Sequence, residues 1–220
     1  MASWMVHLRV ADRLLDIIPE IDPENFIVGN IAPDSGIPNK DWSAFSPSTE
    51  ISHFRTSGKK ADPKAFAAKY LTESQRTHYS KNQFSFFLGY LTHLMTDTLW
   101  SSEIVHPSLD KYPEKVSQDR SAFIWELKKD WYDLDFKYLR DHPQFRGFQV
   151  YASAVGFQNL YMEEFSQTAF DDRRQYITSF YLSGRTGIDR EYIYLTESQM
   201  DSFVSECTER IMGQLPAFLQ

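Results

Sequence analysis

His93 and Asp97 stand four residues apart in the apolar run FSFFLGYLTHLMTDTLW. On a helix that spacing puts both side chains on one face, where an imidazole nitrogen and a carboxylate oxygen can converge on one divalent cation. Phe86, Gly89 and Tyr90 share the face, and a carboxylate among such residues is costly unless it is paired or bound to metal. A His–Asp hydrogen bond clamping two helices is the structural alternative. Three further residues have types suited to the same chemistry. His7 shares a helical face with Val10, Ala11, Leu14 and Leu15, so its ring points into the core, where a backbone carbonyl could satisfy it instead. Asp34 sits in the loop APDSG, where a turn residue capping its own backbone is the simpler account. His53 follows in SPSTEISHFRT, with an exposed loop histidine as the alternative.

These residues need elements to hold them. Apolar residues recur at helical spacing over most of the chain and strict alternation is rare, which predicts an all-α fold. A first helix is expected over about 3–18, ended by Pro19. Residues 19–47, with GNIAPDSGIPN at their centre, are too punctuated by Pro and Gly for regular structure, and long irregular segments are often functional. Asp62-Pro63 starts a helix to about Glu73, with Asp62 as cap and Pro63 at the first helical position. Further helices are expected over 80–101, 113–141, 152–170, 171–183 and 196–215, the last opened by a Thr196/Gln199 capping box. No repeat or linker divides the 220 residues, so one helical-bundle domain spanning 1–220 is expected.

Composition bounds the function. A net charge of −7 argues against duplex nucleic acid as a tight partner, though bound divalent cations would reverse the local field. One cysteine, Cys207, excludes an internal disulfide framework and reads as a buried, inert thiol. The start MASWMVHLRVADRLL lacks the features of a signal peptide, and no segment approaches a membrane span, so a cytoplasmic protein without stable membrane insertion is expected. There is no phosphate-binding Gly-Lys loop, dinucleotide fingerprint or Gly-x-Ser-x-Gly elbow. Lys59, Lys60 and Lys64 form a short basic patch beside a Ser-Gly turn, read as a solvated loop. Trp125, Trp131, Tyr132, Phe136 and Tyr138 offer either a core stripe, the commoner role, or a stacking surface.

Taken in order, His7 in a first helix, GNIAPD ending in Asp34, a following His53, and GYLTHLMTD with His93 and Asp97 resemble the zinc-dependent phospholipase C family, which shares its helical fold with single-strand-specific zinc nucleases. The resemblance covers roughly the first half of the chain, with nothing diagnostic after about residue 140. It implies a metal cluster inside a helical bundle, with zinc as first choice and manganese or magnesium as alternatives. Asp34, His53, His93 and Asp97 would hold one metal, and Asp97 would bridge to a second that His7 helps to bind. The implied activity is hydrolysis of a small phosphoester or a phospholipid by metal-activated water, with Asp34 as the catalytic residue that orients or deprotonates it.

Two departures accompany the resemblance. Secreted members use the amine and carbonyl of a mature N-terminal Trp as ligands, whereas Trp4 here lies three residues inside the chain. A third metal would use a His six residues after the bridging Asp and a His-x-x-x-Glu on the next long helix. This chain has Glu103 at the first spacing and Glu126-x-x-x-Asp130 as the nearest analogue of the second. Of these carboxylates, with Asp133, Asp130 ranks first as a third-site ligand because Trp131 and Tyr132 flank it; a solvated acidic helix face is the alternative. His78 and His106 are further candidates, although His106, before Pro107, reads first as a helix-end residue, as does His142 before Pro143. An HD-type phosphohydrolase needs an adjacent His-Asp pair, and none of the six histidines is followed by Asp. A non-catalytic, metal-stabilised protein of the same fold is the remaining alternative. Nothing in the sequence specifies an oligomeric state.

Overall fold

The structure is a computed structural model, which describes residues 1–41, 43–55 and 60–219. Its helices are α1 (Trp4–Leu15), α2 (Pro23–Ile31), α3 (Thr49–Ser52), α4 (Pro63–Tyr70), α5 (Glu73–Arg76), α6 (Lys81–Trp100), α7 (His106–Lys111), α8 (Pro113–Asp141), α9 (Arg146–Ser153), α10 (Ala169–Leu182), α11 (Glu197–Gln214) and α12 (Pro216–Leu219). A two-stranded antiparallel ribbon, Ile37–Pro38 with Phe45–Ser46, is the one sheet among the described residues. The fold is all-α, as the apolar periodicity predicts.

Local chemistry sets most boundaries. Ser80 caps α6 by accepting from the Gln83 amide at 3.2 Å, and the Thr196/Gln199 capping box opens α11. The helix begun by Asp62-Pro63 stops at Tyr70, because Thr72 and Gln75 build a second capping box that starts α5. Asp119 has extended backbone angles inside α8, and its side chain accepts from the Ala122 amide at 2.9 Å, so that helix restarts there. Beyond Trp100 a π-helical turn, Ser101–Val105, carries the chain directly into α7.

Two expectations fail. Residues 23–31 form a helix inside the stretch expected to be irregular: Asp22 caps it through the Asn25 amide at 2.9 Å and Pro23 takes the first helical position. Phe26, Ile27, Val28 and Ile31 of α2 are buried, and that burial outweighs the glycine inside it. Conversely, 152–170 is not one helix. α9 ends at Ser153, and the segment before α10 is held as turns by Asn159, whose side chain donates to the Met162 carbonyl at 2.6 Å and the Phe165 carbonyl at 2.9 Å. Lys59 and the adjacent Ser-Gly turn lie outside the described residues, while Lys60 and Lys64 are exposed.

α1, α2, α6, α9 and α11 enclose the core, and α2 lies most closely against α6. A buried polar link ties the start of α1 to α8 and α10. Ser3 Oγ and Tyr181 OH each donate to Asp135 at 2.8 Å, and Tyr181 OH accepts from the Met5 amide at 3.2 Å. Burial pushes the Asp135 pKa up to about 7, against the lowering effect of Ser3, Tyr181 and Arg9. Between the ordinary value of 3.8 and about 7 the folded chain therefore holds a proton that the unfolded chain has released, so this group's contribution to stability falls as pH rises through that window. Asp135→Asn should flatten that slope by on the order of 4 kcal/mol across the window. Urea unfolding of both proteins between pH 4.5 and 8 checks it; parallel stability curves would refute the assignment.

Candidate metal centre

Four elements deliver five side chains to one point. α1 presents His7, the short 3-10 turn Ala32–Asp34 after α2 presents Asp34, α3 ends at His53, and α6 presents His93 and Asp97. His7, His53 and His93 are fully buried and Asp97 is 5% exposed. His53 is anchored from α6, since Tyr90 OH donates to the Ser52 carbonyl at 2.5 Å.

Donor atoms lie close together around the point. His53 Nε2 is 3.5 Å from Asp34 Oδ1 and 3.5 Å from Asp97 Oδ2. His93 Nε2 is 3.4 Å from His53 Nε2, 3.8 Å from Asp97 Oδ2 and 4.0 Å from Asp34 Oδ1. His7 Nε2 is 3.4 Å from Asp97 Oδ1, and its ring stacks on His93 with centroids 3.8 Å apart. Two overlapping groups result, Asp34–His53–His93 and His7–His93–Asp97. The two oxygens of Asp97 face different histidines.

These distances suit a cation better than hydrogen bonds. Ligands 2.0–2.1 Å from a tetrahedral zinc are about 3.3 Å from one another, close to the separations here. His93 Nδ1 is 2.7 Å from the Asn30 carbonyl, which can only accept, so the proton sits on Nδ1 and Nε2 offers a lone pair. His53 Nδ1 is likewise engaged by Ser52 Oγ at 2.9 Å. This outer contact fixes tautomer and orientation in metal-binding histidines. The lone pair of His93 Nε2 then faces His53 Nε2 and two carboxylates, an arrangement a divalent ion suits. Both ring nitrogens of His7 are buried without a hydrogen-bond partner, a cost that a bound ion would remove at Nε2.

The field has the matching sign. Burial, then the neighbouring His7, lowers the His93 pKa to about 3, keeping the ring neutral. Burial acts to raise Asp97 and Asp34, but the amino-terminal charge, His7 and His93 hold Asp97 well below the carboxylate range, and His53 and His93 do so for Asp34. Neutral imidazoles beside ionised carboxylates are the protonation states that zinc requires.

The amino-terminal segment closes one side. The Ala2 amide donates to Asp97 Oδ1 at 2.7 Å, and Trp4 Nε1 donates to Asp34 Oδ2 at 3.0 Å. Trp4 thus meets the centre through its indole. Above the centre opens a cleft of about 520 Å³ whose wall includes Trp4, Asp34, Trp125, Trp131 and Tyr132. The aromatic stripe of α8 is therefore divided: Trp131 and Phe136 are buried, Trp125 is 62% exposed at the cleft, and Tyr138 lies against Phe145 and Arg9.

The structure does not bring Asp130 to the cluster. Arg190 Nη2 lies 2.7 Å from its Oδ1, and the Tyr194 amide donates to its Oδ2 at 2.7 Å. Asp133 is held by Arg185 and Arg190, Glu126 by Lys115 and Tyr194, and Glu103 by Arg210. Asp130 and Asp133 are buried ion-pair partners, so they form no solvated face. Asp130 and Asp133 converge on the Arg190 guanidinium, which takes the place a cation would need, and Glu126 and Glu103 are paired with other partners. His78, His106 and His142 are exposed, and Cys207 is a buried thiol whose pKa burial pushes up to about 12.

Sequence reasoning missed the supporting groups. Asn30 acts through its backbone carbonyl, so its side chain gave no signal, and Lys128 and Arg173 reach the cleft only through the tertiary fold. Comparison with known families matches residues 6–173 to the model described as zinc dependent phospholipase C. The match runs past residue 140, beyond the part of the chain in which motifs are recognisable by eye. No curated protein and no solved structure matches the chain.

Proposed function

The chain belongs to the zinc-dependent phospholipase C family, and from that premise we propose that it is a zinc-dependent hydrolase of phosphate esters, with His7, Asp34, His53, His93 and Asp97 as metal ligands. The observation that carries the reading is the convergence of three buried imidazoles and two carboxylates at ligand spacing, with both ring nitrogens of His7 left without a hydrogen-bond partner. Two zinc ions are the proposed complement: Asp34, His53 and His93 would hold one and His7 would help to hold the other, with Asp97 shared between them.

Bound zinc supplies Lewis acidity, which polarises a phosphoryl oxygen and acidifies water at neutral pH. The protein's residues do the rest. Asn30 and Ser52 fix the His93 and His53 rings with Nε2 inward. Trp4 holds the Asp34 carboxylate through Oδ2. Of the five ligands Asp34 lines the cleft, and its low pKa suits it to orienting the attacking water by accepting a hydrogen bond more than to keeping the proton. The ester's organic group lies along the aromatic wall. The physiological ester is a small phosphoester or a phospholipid, and no helix among the described residues is long and apolar enough to cross a membrane.

The deciding experiment is metal analysis of the purified protein followed by a panel of nitrophenyl phosphates, phosphodiesters, phosphatidylcholine and single-stranded DNA with zinc, manganese or magnesium. Two zinc ions per chain and zinc-dependent turnover of at least one ester are expected. Less than one metal per chain with no turnover would overturn the reading, and tight zinc without turnover would favour the non-catalytic alternative.

A further inference from the structure

The cleft above the centre holds more positive charge than its own carboxylates balance. Arg185 at its wall is neutralised by Asp133, 2.7 Å away. Lys128 and Arg173 are not. Arg173 is 6% exposed; its Nη2 donates to the Gly36 carbonyl at 2.6 Å and its guanidinium lies 5.5 Å from the Tyr176 ring centre and 6.0 Å from that of Trp4. No carboxylate among the described residues pairs with it. Lys128 is half-buried, with its Nζ 4.6 Å from the Trp125 ring centre and again no carboxylate partner among the described residues. Burial lowers the Lys128 pKa while Asp34 acts to raise it, so the two side chains sense each other across the cleft.

A buried guanidinium without a counter-ion is costly, and its planar fork suits an oxyanion. Much of the remaining wall is apolar: Trp4, Trp125, Trp131 and Phe180 offer faces and edges to an organic body. Two bound zinc ions would answer the charge of the reacting phosphoryl group, since the two carboxylates Asp34 and Asp97 would offset only half of the charge of two divalent ions. Lys128 and Arg173 therefore remain for charge that a simple phosphodiester does not carry.

We infer that Lys128 and Arg173 make the cleft selective for phosphate esters that carry a second negative charge together with an apolar or aromatic body, and that zwitterionic choline esters are disfavoured. The second charge can come from a phosphomonoester dianion or from an acid elsewhere on a diester. The inference rests on the zinc hydrolase reading for the position of the reacting phosphoryl group.

The test is binding to the zinc-loaded full chain, followed by calorimetry and by tryptophan fluorescence, which the three tryptophans at the cleft should make responsive. Four phosphonates share one naphthyl body: the free dianion, its methyl ester, its choline ester and its carboxyethyl ester. The dianion or the carboxyethyl ester should bind at least about tenfold more tightly than the methyl ester, and the choline ester most weakly. Which of the two leads identifies the source of the second charge. Zinc alone would also favour a dianion, so the decisive variant is Lys128→Met. It should weaken the preferred ligand about tenfold and the methyl ester much less, with melting temperature and zinc content unchanged. Arg173→Lys, which keeps the charge and loses the fork, should fall between. Equal affinities across the series, or an undiminished preference in Lys128→Met, would overturn the inference. Loss of zinc binding in the parent would instead overturn the hydrolase reading, and the same titrations on metal-free protein would still show whether Lys128 discriminates by charge.

Discussion

Asp97→Asn should strip zinc from both halves of the centre and abolish turnover. Oδ1 of Asp97 faces His7 and accepts from the Ala2 amide, while Oδ2 faces His53 and His93. An asparagine keeps one acceptor and turns the other position into a donor, so whichever way the amide lies, one half of the centre meets N–H where it needs a lone pair. The negative charge is lost from both halves. Zinc affinity should drop by more than about 100-fold, the upper range for losing only an outer-shell partner.

His7→Ala should behave differently. It deletes a ligand from one group and leaves Asp34, His53 and His93 in place, so about half of the zinc should remain. Metal content after dialysis against a weak chelator, together with kcat for an activated phosphodiester, separates the two variants. Equal zinc in Asp97→Asn and the parent would overturn the bridging role, whatever the activity.

How far the site could be read in the sequence depends on which interactions are local. The i, i+4 spacing of His93 and Asp97 fixes their common face before any tertiary structure exists. The burial of Asp97 follows from the apolar residues around it. His53 gave no such signal: it ends a one-turn helix, and its burial comes from Tyr90 reaching across to the Ser52 carbonyl. α2 has a local signal of its own. Asp22-Pro23 is the same cap-and-proline pair as Asp62-Pro63, and only the density of Pro and Gly downstream disguised it. Asp130 failed for an opposite reason. Its flanking aromatics indicate burial correctly, but burial does not distinguish a metal from an arginine, and Arg190 lies sixty residues further along the chain. The cleft cations share that difficulty, because charge balance is a property of the assembled site.

The close crossing of α2 and α6 carries the second large effect. Asn30 and Asp34 follow from one helix, and His93 and Asp97 from the other, so ligand spacing depends on how near the two axes come. Two glycines set that approach reciprocally. A Cβ on Gly89 would lie 2.1 Å from the Phe26 carbonyl oxygen, and one on Gly29 would lie 2.2 Å from the Phe86 carbonyl oxygen. Both obstacles are helix backbone, which cannot rotate aside as a side chain can. Gly89→Ala should therefore destabilise the fold by about 3 kcal/mol, the upper part of the range for overpacking, despite alanine's better helix propensity. By prising the helices apart it should also stretch the contact between His93 Nδ1 and the Asn30 carbonyl, now 2.7 Å, and weaken zinc binding without touching a ligand. Gly213→Ala is the control. It lies in α11 with nothing within 4 Å of its would-be Cβ, and it should gain up to about 1 kcal/mol from propensity alone. Urea unfolding of the metal-free variants measures the first effect and zinc titration of the folded protein the second. A Gly89→Ala protein as stable as Gly213→Ala, with zinc affinity intact, would show that the crossing has slack and that ligand geometry does not depend on it.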